Sequence, residues 1–167
     1  MTVSTPWLIV IGLGEDGLDA LPAAFRALVD SAEVLLGGER HLAMISDSVA
    51  ERLTWRTPLV DSMADIEAHR AKRVVVLATG DPMHYGIGVT LARHFAPEEM
   101  LILPTAGALS LVCALLRWPV AEVECLTLHG RPLETLRAYL APGHRLVILS
   151  QDGTTPAAVA AELVAAG

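Results

Sequence analysis

Residues 73–78, Arg-Val-Val-Val-Leu-Ala, run straight into Thr79-Gly80-Asp81-Pro82, and this abrupt change of character limits the fold more than any other part of the chain. An uninterrupted apolar run rich in valine reads as a strand buried on both faces, the pattern of a parallel sheet covered by helices. Open sheets of that kind bind ligands in the crevice outside the carboxyl ends of their strands, which is where Thr79 to Pro82 fall. Gly80 lets a ligand approach the backbone, and Asp81 can accept hydrogen bonds from hydroxyl or amino groups. Gly-Asp-Pro is also ordinary turn chemistry, so a ligand loop and a plain strand-ending turn both stay open at this point.

Two more apolar runs end in the same manner. Residues 7–13 lead into Gly12-Leu13-Gly14-Glu15-Asp16-Gly17, and Met100 to Leu103 end at Pro104-Thr105-Ala106-Gly107-Ala108. The first loop fits Gly-x-Gly-x-x-Gly. A dinucleotide site also wants a helix opening on the third glycine and an acidic residue ~20 positions on. Glu39 stands at about that spacing, but Pro22, a residue of first helical turns, delays the helix. A tight turn without a ligand is the competing reading.

Between these runs the pattern predicts helices over 22–30, 63–71 and 87–95, strands over 33–38 and 52–57, and a short helix holding His41, Leu42 and Ile45. His41 and His69 read as solvated helix-face residues, since neither has a metal-spaced partner. Alternating strand and helix argues for an open, mostly parallel α/β sheet. After a helix over 109–117, Pro119 stops the pattern and it restarts: strands over 123–128 and 146–149, helices over 132–140 and 156–166, with Thr155 as N-cap. The expectation is therefore two α/β domains, 1–117 and 118–167. The second has two strands, too few for a stable sheet, so it reads as an incomplete domain and the chain as the front part of a longer protein.

Composition narrows the function classes. The 167 residues are 53% hydrophobic and 4% aromatic, so Val, Leu and Ala must fill the core. A net charge of −7 without a basic stripe gives no attraction to nucleic-acid phosphates or anionic lipid. No apolar run approaches the ~18 residues of a membrane span, and Met1 to Pro6 lack a signal peptide's basic start, which predicts a cytoplasmic enzyme or binding protein. Cys113 and Cys125 suit neither a zinc ribbon nor a disulfide framework and read as small buried hydrophobes; no metal site is expected.

Taken together, the three loops resemble those of the tetrapyrrole (corrin and porphyrin) methyltransferases that use S-adenosylmethionine. Gly12 to Gly17 is similar to that family's Gly-x-Gly-Pro-Gly turn, with Glu15 at the proline. Thr79-Gly80-Asp81-Pro82 with Tyr85-Gly86-Ile87-Gly88 resembles its Gly-Asp-Pro-x-x-Tyr-Gly block. Pro104 to Ala108 matches its Pro-Gly-x-Ser-Ser turn in position, with Gly107 and Ala108 replacing the hydroxyl residues. Leu128-His129-Gly130-Arg131-Pro132 and residues 150–156, Ser-Gln-Asp-Gly-Thr-Thr-Pro, look like the branch that methylates C5 of a precorrin in cobalamin biosynthesis, the amino-terminal half of a bifunctional enzyme. The resemblance implies a homodimer, and a carboxyl-terminal methylase and decarboxylase domain fused in the longer protein.

It also implies site residues. Gly14 and Glu15 would border S-adenosylmethionine; Thr79, Gly80, Asp81 and His84 would contact its adenosine or methionine part. Gly107 and Ala108 would line the same pocket, and Leu149 and Ser150 would close it. Methyl transfer from a sulfonium needs positioning more than a triad or a metal. Arg131 is the candidate clamp for a substrate carboxylate, and His129 could take a proton after methylation. The alternatives are a nicotinamide-dependent oxidoreductase built on Gly12 to Gly17 and Glu39, and a non-catalytic ligand-binding domain.

Overall fold

The computed structural model describes residues 6–167; the stretch read for a targeting signal lies largely outside them. Contacts divide the chain after Gly107, so the helix that follows belongs to the second unit, whereas the break at Trp118-Pro119 assigned it to the first.

The first unit is a five-stranded sheet of β1 (Leu8–Leu13), β2 (Val34–Gly37), β3 (Glu51–Thr54), β4 (Val74–Thr79) and β5 (Met100–Leu103), in the order β3-β2-β4-β1-β5. Every pair is parallel. β1 lies between β4 and β5, with Leu8 opposite Val74 and Met100. Connecting them are α1 (Ala23–Asp30), α2 (Glu39–Ala43), α3 (Asp61–Ala68) and α4 (Ile87–Ala92). The chain moves one way across the sheet from β1 to β2 and the other way from β4 to β5. Right-handed crossovers therefore put α1 and α4 on opposite faces.

Strand alternation supplies a separate core to each face. Val10, Leu36, Val74 and Val76 pack with Ile66 of α3 and Leu91 of α4. Ile9, Ile11, Leu35 and Leu77 pack on the other face with Val29 of α1 and Leu42 of α2. Val74, Val75 and Val76 are all 0% exposed, because one alternation serves two cores and leaves no polar face. Each such side chain contributes roughly 1.5–3 kcal/mol by leaving water.

The second unit contains α5 (Ala108–Leu116), a two-stranded parallel sheet of β6 (Val123–Thr127) and β7 (Arg145–Leu149), and α6 (Thr155–Ala166). Its core is Leu126, Leu128 and Leu136 with flanking apolar residues. Arg117 closes α5 in the left-handed region at φ 56°, and the Trp118 N–H returns to the Cys113 carbonyl at 2.9 Å. That 6→1 bond satisfies a carbonyl at the helix end just before Pro119.

Two local expectations change. Residues 133–139 form 3-10 turns, not an α-helix, after Pro132. Thr155 lies inside α6 rather than capping it: Asp152 accepts the N–H groups of Thr154 (2.8 Å) and Thr155 (3.2 Å). Bonds from Thr154, hydroxyl before backbone, hold the Asp152 carboxyl below the usual carboxylate range.

Gly12 sits where β1 passes under the chain leaving β4. A Cβ there would lie 1.7 Å from the Gly80 carbonyl oxygen, which is backbone and cannot rotate away. Gly12→Ala should therefore cost about 3 kcal/mol or more, seen as a lowered urea midpoint, whereas Gly14→Ala, whose Cβ would meet nothing within 4 Å, should leave the midpoint nearly unchanged.

Candidate functional site at the strand ends

The carboxyl ends of β1, β4 and β5 are tied together by one residue. The Gly80 N–H donates to the Leu13 carbonyl at 2.8 Å, and the Gly80 carbonyl accepts the Thr105 N–H at 3.1 Å and the Thr105 hydroxyl at 3.2 Å. Gly80 has φ +54°, and a Cβ on it would stand 2.8 Å from Gly107 Cα. Glycine is required there twice over, by backbone conformation and by space. Asp81 borders Gly107 from the other side: a Cβ on Gly107 would lie 3.4 Å from the Asp81 nitrogen. The structure thus brings Thr79, Gly80, Asp81 and Gly107 together beside the β1 loop carrying Gly14 and Glu15.

The other motif glycines serve the turn itself. The Pro82 carbonyl receives the Gly88 N–H at 2.9 Å, and a Cβ on Gly86 or Gly88 would come within 2.6 or 2.7 Å of that oxygen. Asp81 holds the same turn, since its Oδ1 accepts the Met83 N–H at 2.8 Å. Its Oδ2 makes no hydrogen bond among the described residues. The carboxylate therefore braces the loop with one oxygen and offers the other. His84 donates its backbone N–H to the Asp81 carbonyl, and its ring lies tilted against Tyr85 at 4.9 Å. Tyr85 itself takes φ 57°, a left-handed conformation uncommon outside glycine.

His41, read from the sequence as solvated, joins this edge together with its neighbour Arg40. His41 of α2 lies 3.1 Å from the Thr79 hydroxyl, and Arg40 bonds both oxygens of Glu15 at 2.9 and 3.1 Å. Arg52 fixes the end of α2 by donating to the Leu42 and Ile45 carbonyls. His41 is half-buried, and burial first, then the Arg40 charge, pushes its pKa down, with Glu15 opposing. His69 is also engaged, by the Asp65 carbonyl and by Glu51. A glycine-ended strand before Arg40 and His41 was the available signal; their partners are not local.

In the second unit, the carboxyl ends of β6 and β7 gather His129, Arg131, Leu149 and Ser150. The Leu128 N–H donates to the Leu149 carbonyl at 2.9 Å, and the Gly130 N–H reaches the Gln151 side chain at 3.3 Å. His129 is braced through its backbone N–H by Thr127 Oγ1 at 3.1 Å. Ala108 opens α5. Cys113 is buried and Cys125 half-buried. Among the described residues no group of three or more His, Cys, Asp or Glu could hold a metal ion, and no helix is long and apolar enough to cross a membrane.

A parallel sheet whose glycine loops lock over its first strand presents backbone at its carboxyl edge. The chain belongs to the family of tetrapyrrole (corrin/porphyrin) methylases, whose pattern matches residues 7–166. It is 41% identical over 166 residues to a precorrin-6Y C(5,15)-methyltransferase [decarboxylating] from Sinorhizobium sp, covering 99% of this chain and 40% of the relative. It is 34% identical to the cobalt-precorrin-7 C(5)-methyltransferase of Salmonella typhimurium, covering 96% of this chain and 79% of that protein. The chain thus spans about 40% of the length of the decarboxylating relatives it matches. A solved precorrin-6Y methylase from Archaeoglobus fulgidus is 26% identical with TM-score 0.59, over 86% of this chain and 72% of that one. The structure of a cobalt precorrin-4 methyltransferase, 21% identical with TM-score 0.61 over 96% of this chain and 74% of its own, shares the fold.

The family match lends nothing to the nicotinamide alternative, and the geometry supplies a reason. Gly17 opens a short 3-10 turn (Gly17–Ala20) and α1 begins only at Ala23, so no α-helix amino terminus follows the third glycine to receive a pyrophosphate.

His41 yields a pH test. Its pKa is lowered on folding, so the unfolded chain binds more protons in acid. Its contribution to stability is present above the ordinary histidine value of 6.5 and is lost as pH falls from there through the lowered folded value. The thermal midpoint of the parent should fall more between pH 7 and pH 5 than that of His41→Asn, by scanning calorimetry at matched ionic strength; parallel curves would remove His41 from the account.

Proposed function

We propose that the chain carries the S-adenosylmethionine-dependent activity that methylates C5 of a precorrin in cobalamin biosynthesis. The observation that carries this reading is the glycine-locked edge, where Gly80 joins the ends of β1 and β4 to the loop after β5. Relatives of two kinds support the position on the ring: one is named for C5 and C15, the other for C5 alone, and each matches nearly the whole chain. The activity common to both names is C5 methylation. C15 methylation and decarboxylation would then reside in the remaining length of the decarboxylating relatives.

The residues present suit the cofactor. Gly14 has open space in front of its Cα, Thr79 is exposed, and Asp81 keeps one carboxylate oxygen for a ribose hydroxyl or an amino group. Gly14, Glu15, Thr79, Gly80, Asp81, His84 and Gly107 would hold S-adenosylmethionine; Ala108, Leu149 and Ser150 are implied by the family resemblance alone. When bound it supplies an electrophilic methyl group. The substrate carbon provides the electron pair for the new C–C bond, the C–S bond breaks, and its pair stays on sulfur in S-adenosylhomocysteine. The chain's part is to align donor and acceptor, which accounts for backbone-lined loops in place of a nucleophile. His129 would accept the proton later lost from the substrate, and Arg131 would bind one of its carboxylates. We also infer a homodimer from the resemblance alone; sedimentation equilibrium showing a monomer would end the dimer reading.

S-adenosylhomocysteine should raise the thermal midpoint while NAD does not, because a ligand selective for the folded state stabilises it. A shift with NAD alone would overturn the reading. Asp81→Asn keeps the oxygen that accepts the Met83 N–H but loses the charge. It should weaken S-adenosylhomocysteine binding by about 1.5 kcal/mol with little change in stability. Asp81→Ala should lower both affinity and midpoint. Equal affinity of parent and Asp81→Asn by calorimetry would reduce Asp81 to a turn residue.

A further inference from the structure

A precorrin is ringed by carboxylates, so a site that holds one needs cations placed at its rim. In the first unit, two cations follow the carboxyl ends of strands: Arg40 after β2 and Arg56 after β3. Of the others, Arg26 lies on α1, Arg52 within β3, Arg93 just after α4, and Arg70, Lys72 and Arg73 between α3 and β4. Arg56 is committed, since its Nε and Nη2 grip the two oxygens of Asp65 in a planar fork. Arg40 is engaged differently. It reaches both Glu15 oxygens through Nη1 alone, so the Nε and Nη2 edge, which can match a carboxylate in two parallel bonds, makes no hydrogen bond among the described residues.

The surroundings favour a movable guanidinium on a fixed base. α2 is held at its end by Arg52, and at Leu42 by burial in the core. His41, the next residue, is bonded to Thr79 on the last turn of β4. The Arg40 side chain is 53% exposed and that of Glu15 80% exposed, and an exposed ion pair contributes little, so exchanging Glu15 for another carboxylate is nearly neutral. Beyond Glu15 lies a cavity of about 620 Å³ lined by Glu15, Asp16, Asp19, Asp30 and Asp47 and by no Lys or Arg. A polycarboxylate is repelled from that side. Arg40 stands at the border between this acidic wall and the ends of β1 and β4.

We propose that Arg40 anchors a carboxylate of the substrate, with Glu15 holding the guanidinium until the substrate takes its place. The inference rests on the precorrin reading above for its substrate class. It adds a first-unit anchor to Arg131, and it gives Glu15, the residue standing at the family's proline, a role in occupying Arg40 when no substrate is present.

The test uses the intact chain, isothermal calorimetry at low salt, and three probes: cobyrinic acid, its heptamethyl ester, and S-adenosylhomocysteine. Arg40→Ala should weaken cobyrinic acid about 10-fold and leave the ester and S-adenosylhomocysteine unchanged within about twofold. Arg40→Lys should recover part of the loss, since an ammonium keeps the charge without the planar fork. Glu15→Gln should tighten cobyrinic acid by about threefold, because a neutral amide competes less for the guanidinium; a merely structural pair would produce no gain. Equal affinity of parent and Arg40→Ala for cobyrinic acid overturns the anchor. Joint loss of cobyrinic acid and S-adenosylhomocysteine by Arg40→Ala overturns it too, as general disruption of the site. A parent that binds S-adenosylhomocysteine but not cobyrinic acid removes the substrate class and the anchor while sparing the cofactor reading. A parent that binds neither removes the proposed function itself.

Discussion

One residue, Gly80, carries the organisation of the strand ends. Its N–H is spent on the end of β1 and its carbonyl on the loop after β5, so the chain leaving β4 crosses over Gly12 and cannot relax away from either neighbour. The crossing requires glycine at both levels: at position 12 because the Gly80 oxygen already fills the place of a Cβ, and at position 80 because the backbone is left-handed and Gly107 lies against it. Loops of this kind cost conformational entropy to order. Here the ordering is completed by folding, so a ligand that lands on them meets a preformed surface.

Glycines in a ligand-binding motif are commonly read as making room for the ligand. In this chain several make room for the chain. Gly12, Gly80, Gly86 and Gly88 each face a backbone oxygen or Cα at a distance no Cβ would tolerate, whereas Gly14 faces open space. The division has a functional consequence. Substitution at the first four acts through folding, and substitution at Gly14 acts through whatever occupies the space. Asp81 is divided within one side chain, with Oδ1 holding the turn and Oδ2 making no hydrogen bond among the described residues.

Electrostatics sort the edge further. The chain is acidic overall, and the cavity beside Glu15 concentrates that character, so the few cations near the strand ends matter in proportion to their scarcity. His41 sits beside one of them and is disfavoured in its charged form by burial and by Arg40. With the charged imidazole disfavoured, the positive charge beside Glu15 rests on the Arg40 guanidinium, carried by α2.

The elements and the motif loops were legible in the sequence because their causes are local. Apolar runs at 8–13, 74–79 and 100–103 alternate into two cores, and Gly, Pro and Asp punctuate them within a few residues. The resemblance carried by those loops gave the family. Tertiary structure decided what local pattern does not encode: the order β3-β2-β4-β1-β5, the crossing of Gly80 over Gly12, and the partners of α2. Arg40 meets Glu15 across 25 residues and His41 meets Thr79 across 38, contacts that exist only once the sheet has placed β2 beside β4 and β4 beside β1. Periodicity reports which face of an element is buried; it carries no record of which other element arrives there, and that is why a histidine that read as solvent-facing, and an arginine the pattern did not mark, turn up at the candidate site.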